Sequence, residues 1–63
     1  MSKQERLIKF YRAQIADLEL EQATLVREWE QGQIDFGVAR ERVIEILNQL
    51  AVFRFHLGEE TCN

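Results

Sequence analysis

Proline is absent from this 63-residue chain, cysteine occurs once and glycine three times. A lone Cys62 cannot form an intramolecular staple, so a disulfide scaffold is excluded. With no proline and 46% hydrophobic residues, the chain is neither collagen-like nor a disordered tail. No apolar run approaches the roughly 18 residues of a membrane span. Basic charge is not in excess either: eight Lys and Arg face eleven Asp and Glu, for a net charge of −3. Proteins that coat duplex nucleic acid are normally basic. The opening run Met1-Ser2-Lys3-Gln4-Glu5-Arg6 is polar, with no apolar stretch of signal-peptide length behind it. The expected compartment is the cytoplasm, where Cys62 stays reduced.

What is present is helical punctuation. Ser2 followed by Glu5 is a capping box, in which the hydroxyl accepts from the Glu5 backbone N–H. A first helix is expected over about 3–31, with Gly32 at the left-handed position that ends helices. Asp35 is the next good N-cap, flanked by Ile34 and Ala39 at the two staple positions. A second helix is expected over about 36–57, ended by Gly58, with 58–63 as a tail. Gly37 in its first turn is a weak point. The connection Gly32-Gln33-Ile34-Asp35 is so short that the two helices must run antiparallel. The fold class is all-α, a single helical-hairpin domain.

The apolar pattern repeats every seven residues in both halves. The first seam is Ile8, Tyr11, Ile15, Leu18, Gln22, Leu25 and Trp29. The second is Phe36, Ala39, Val43, Ile46, Leu50, Phe53 and Leu57. Such spacing keeps a stripe against a partner helix at shallow crossing angles. Gln22 is its one polar member, in a place where a polar residue can fix register. Beside the second seam runs another stripe: Ile44, Leu47, Ala51 and Phe55. The first helix has extras of its own in Leu7, Phe10, Leu20 and Val26. One neighbouring helix cannot cover so wide an apolar sector. A chain this short is also marginal alone. Two hairpins packed into a four-helix bundle would cover the surplus, so Ile44, Leu47, Ala51 and Phe55 are the expected homodimer interface.

Charge is segregated along the first helix. Residues 1–12 sum to +3 and residues 17–35 to −5. Alone, this opposes the helix macrodipole, but in an antiparallel hairpin each charged end lies beside the complementary terminus of the other helix. Two surfaces stand out as partner sites. One is the acidic turn end, with Trp29, Glu28, Glu30 and Ile34, where an exposed Trp would be a strong anchor for a protein. The other is the basic end, with Lys3, Arg6, Lys9 and Arg12 near Phe10, Tyr11, Arg54 and His56, suited to RNA or an acidic surface.

Chemistry-bearing residues are sparse. His56 and Cys62 lack a third group to orient them as a nucleophile–base pair, and they are too few for a metal site. Glu41 and Glu45 lie one turn apart on what reads as a solvated face. No Gly-rich phosphate loop is present. No enzyme activity, metal, cofactor or small-molecule substrate is expected.

The opening Met1-Ser2-Lys3-Gln4-Glu5-Arg6, with Arg54-Phe55 and Gly58-Glu59-Glu60 near the end, resembles the Rop family of plasmid-encoded helical hairpins. That resemblance implies a dimeric four-helix bundle that binds paired RNA loops across its first helix. Lys3 is the matching RNA-contact residue, and Gln14 stands where the family has an exposed aromatic. The leading expectation is a small homodimeric regulator or adaptor of plasmid or phage type that binds a host protein. RNA binding through the basic end is the alternative.

Overall fold

The computed structural model describes residues 2–61 and is a two-helix antiparallel hairpin. Helix α1 spans Lys3–Glu30 and helix α2 spans Phe36–Thr61. Together they form a rod 45 Å long, 17 Å wide and 12 Å thick.

The caps expected at Ser2, Gly32 and Asp35 are built, and each has a visible cause. Ser2 is extended at ψ 162°, and its Oγ accepts from the Glu5 N–H at 3.2 Å. At the far end of α1, Gly32 has φ +74°, the left-handed backbone that a Cβ disfavours. The Gln33 N–H then reaches back to the Glu28 carbonyl at 2.8 Å, and the Gly32 N–H to that of Trp29 at 3.0 Å. This pair of bonds is the Schellman motif, which satisfies the carbonyls the helix leaves open. Asp35 starts α2: its Oδ2 accepts from the Gly37 N–H at 3.0 Å and its carbonyl from the Ala39 N–H at 3.0 Å.

Two boundaries differ from expectation. Helix α1 stops one residue early, with Gln31 as its cap. Helix α2 does not end at Gly58 but continues to Thr61. The reason is length matching. Ending at Leu57, α2 would be 22 residues and about 33 Å long, against about 42 Å for α1. The added turn brings the Glu60 carbonyl to the Gln4 side-chain amide, which donates to it across the hairpin. The Thr61 hydroxyl donates back to the Leu57 carbonyl at 2.9 Å. Glycine in a helix interior costs about 0.5–1 kcal/mol relative to Ala, too little to end a helix that gains contacts beyond it. The expected tail beyond Thr61, with Cys62, lies outside the described residues.

The core is thin. Leu18, Ala39, Ile46 and Leu50 are the buried residues, with Ile46 and Leu50 almost fully enclosed. Ile15, Leu25 and Phe53 pack against this cluster. The seven-residue seam meets as expected: its members are buried or half-buried except Trp29 and Phe36 at the turn end. Gln22 is half-buried among them. Beyond Leu18 and Leu50 the seam is lined by rings. Tyr11 lies 6.0 Å from Phe53 and stacks at 18° on His56, while Phe10 meets Tyr11 edge-on. Such aromatic pairs add about 0.5–1.5 kcal/mol beyond their buried area.

Candidate functional site

The sides of the rod differ in character. Ion pairs that cross between the helices identify which residues share a side. Arg42 donates from Nε to Glu21 Oε1 at 2.7 Å and from Nη1 to Glu45 Oε2 at 2.8 Å. These hydrogen bonds to Glu21 and Glu45 push the Arg42 pKa up, so it stays charged. With them lie Gln14, Asn48 and Gln49, which line a shallow hollow with Leu18, Val52 and Phe53. This side is mainly polar, although Val52 is exposed.

Away from Arg42, α2 carries the surplus apolar stripe, on a sector that also holds Asn48. Ile44 and Leu47 are 46% and 47% exposed, and Phe55 is 65% exposed. Ala51 between them is exposed as well. All four candidate interface residues are therefore uncovered in the single hairpin, as their spacing requires. The stripe runs into a groove at the turn end, lined by Val26, Trp29, Phe36, Ala39, Arg40, Val43 and Ile44. Its volume is about 270 Å³ and its walls are almost wholly apolar, with Arg40 as the one charged residue. Trp29 and Phe36 form its end wall, with ring centroids 5.5 Å apart.

Two surfaces that the sequence separates are thus one. Trp29, expected as a partner anchor, and Ile44, expected as a dimer residue, line the same groove. Sequence pattern missed Val26, Val43 and Phe36 as groove residues. Val43 and Phe36 belong to the seam, and no periodicity says which side of the seam opens outward.

The acidic turn end is less concentrated than its sequence. Glu28 and Glu30 are two residues apart on α1, so they project about 200° apart around the helix. Glu28 is half-buried and Glu30 exposed. Ile34 is half-buried in the turn. Neither carboxylate nor Ile34 lines the groove.

The basic residues are spread in the same way. A spacing of three falls short of a full turn, so Lys3, Arg6, Lys9 and Arg12 spiral around α1 by about 60° per step. Lys9 and Arg12 border one hollow with Glu5 and Ile8, and Lys3 borders another with Gln4, Leu7 and Glu60. None of the four forms a salt bridge with a carboxylate of the described residues. Arg54 instead faces Glu19 across the hairpin at 3.7 Å, and His56 sits 3.9 Å from Glu59.

Among the described residues no three His, Cys, Asp or Glu side chains converge as metal ligands. No described helix is long and apolar enough to cross a membrane. What the arrangement offers is a row of exposed apolar side chains on α2, interrupted by Arg40, Asn48 and Arg54, with a groove at its turn end. No protein-family model, curated protein or solved structure matches the chain.

Proposed function

We propose that this protein is a non-enzymatic adaptor that works as a homodimeric helical bundle and binds another protein. One observation carries the reading: Ile44, Leu47 and Phe55 stand exposed at helical spacing on α2, and Ile44 lines an apolar groove with Trp29 at the turn end. Exposed apolar side chains grouped in this way are the mark of an interface. Burying Ile44, Leu47 and Phe55 supplies about 1 kcal/mol or more per side chain, which a core of four buried residues needs. Light scattering at micromolar concentration tests it, with the dimer at twice 7.5 kDa expected. A folded 7.5 kDa monomer would overturn it. A pull-down from the native host, repeated with Glu28 and Glu30 reversed in charge, tests the turn end as the protein-binding region.

A second reading rests on the basic end. Lys3, Arg6, Lys9 and Arg12 are free of carboxylate partners among the described residues, so their charge is available to phosphates. RNA bound there would dissociate steeply with added salt, in proportion to the phosphates contacted. No binding at low salt removes this reading.

A further inference from the structure

We propose that the turn-end groove is a binding site for a small aromatic carboxylate, with its ring held between Trp29 and Ile44 and its carboxylate on Arg40. The proposal rests on the reading of the turn end as an interaction surface, and adds a ligand that competes there with a second copy of the chain.

The arginines of α2 differ in one respect. Arg42 holds Glu21 and Glu45, and Arg54 faces Glu19 across the hairpin. Arg40 forms no salt bridge with a carboxylate of the described residues. Its place in the sequence explains this. On a helix a side chain meets those three and four residues away. For Arg40 these are Phe36, Gly37, Val43 and Ile44, and none is a carboxylate. The guanidinium stands instead at a groove walled by Val26, Trp29, Phe36, Ala39, Val43 and Ile44. A charge beside apolar walls attracts an anion more strongly than a charge surrounded by water.

Walls and charge together specify the ligand. The groove volume of about 270 Å³ lies just under the roughly 300–1,000 Å³ of pockets for drug-sized molecules, so it suits a single ring on a short chain. Trp29 and Phe36 meet at 52° with centroids 5.5 Å apart, and a third ring beside them makes the offset or edge-on contacts that aromatic pairs prefer. The planar guanidinium offers a fork of N–H donors that one carboxylate accepts in pairs. Arg40 is four residues from both Phe36 and Ile44, about 6 Å along the helix. An arylalkanoate with two or three carbons between ring and carboxylate spans that distance. No acidic residue lines the groove to repel it.

Ile44 ties the groove to self-association. It lines the groove and also leads the exposed stripe of Leu47, Ala51 and Phe55. A second copy seated on Ile44 closes the groove, and a ring lodged in the groove holds that copy off. Charge separates the two occupants. The sector of α2 that holds Ile44, Leu47 and Ala51 carries Arg40 and Arg54 and no carboxylate. A second α2 laid on it brings like charge to Arg40, whereas the ligand brings the opposite charge. A guanidinium covered without a counter-charge is costly. Whatever binds the single hairpin alone draws the equilibrium towards it by mass action.

Trp29 is the sole tryptophan, so its indole N–H gives a single resonance in the nitrogen-15-labelled chain. The probe is 3-phenylpropanoate, with the neutral 3-phenylpropanamide as its control. The expected result is a saturable shift of that resonance by the acid, with a Kd on the order of 1 mM, and binding of the amide about threefold to tenfold weaker. Arg40→Gln is expected to reduce the acid to the level of the amide. Arg42→Gln removes an equal charge outside the groove and should keep the difference. Light scattering on the same samples should show the acid raising the dimer Kd. Leu47 does not line the groove, so Leu47→Asn should bind the acid at least as tightly as the parent chain. Equal binding of acid and amide, or a preference that survives Arg40→Gln, would overturn the proposal. So would the absence of any shift at about 10 mM acid in both the parent and the Leu47→Asn chain, whatever the state of the dimer. A dimer Kd unmoved by bound acid would overturn the competition. A chain that binds the acid through Arg40 yet is monomeric without it would overturn the dimer reading and support the site.

Discussion

The rings of Trp29 and Phe36 stand 5.5 Å apart at 52°, each on the apolar position of its helix nearest the turn. Trp29 is 44% exposed and Phe36 59% exposed, so the pair closes the seam on one side and opens a groove on the other. Trp29 is the sole tryptophan of the chain, which makes its emission a reporter of the groove. Concentrating the protein through its dimerisation range is expected to shift that emission to the blue, as the second copy excludes water. Phe36→Ala should leave it red at every concentration. Emission independent of concentration, in a chain that dimerises by mass, would place the interface elsewhere.

Gly32 and Gly58 look alike in sequence, each following a helical run, yet substitution should move stability in opposite directions. Gly32 has φ +74°, so Gly32→Ala forces a Cβ into left-handed backbone and is expected to cost about 1 kcal/mol. Gly58 is inside α2, and a Cβ there meets nothing within 4 Å. Gly58→Ala should stabilise by about 0.5–1 kcal/mol. Thermal melts at matched concentration measure both. A loss on Gly58→Ala equal to that on Gly32→Ala would show that α2 ends at Leu57 after all.

The caps were legible because each rests on local chemistry: Ser2 with Glu5, Gly32 with its two back-bonds, Asp35 with Gly37. The seam was legible because a seven-residue period can serve only a helical partner. The end of α2 was not, since what carries the helix past Gly58 is a bond to Gln4, 56 residues away in sequence. Nor was the union of Trp29 with Ile44. Periodicity gives the angle of a residue around its own helix, but which edges of two helices share a side depends on how the turn lays them together. The scatter of Lys3, Arg6, Lys9 and Arg12 is different. Their three-residue spacing already implies a spiral, because three residues fall about 60° short of a turn.

Arg42 joins the helices by holding Glu21 on α1 and Glu45 on its own helix. All three side chains are substantially exposed, so the pairs are weak and screened. Arg42→Gln is expected to lower the melting temperature slightly in low salt and to match the parent chain near 1 M salt, where screening reaches within about 3 Å. A large loss that persists at high salt would mean that Arg42 contributes by packing its stem rather than by charge.

Leu47 and Leu50 are the same side chain three residues apart, and they separate the fold from the interface. Leu50 is 1% exposed within one hairpin, so Leu50→Ala should cost about 2–4 kcal/mol from lost burial and the cavity left behind. That loss falls on the hairpin itself, and helix content should drop at every concentration. Leu47 is 47% exposed in the single hairpin, where an alanine would ordinarily change stability by no more than about 0.5 kcal/mol. If a second copy covers it, Leu47→Ala instead weakens dimerisation by about 1–3 kcal/mol, a rise in Kd of roughly fivefold to a hundredfold or more. Sedimentation equilibrium reads the Kd, and circular dichroism reads the helix. A Leu47→Ala chain with unchanged Kd would remove Leu47 from the interface. A Leu50→Ala chain with full helix content and a normal melt would contradict the core described here.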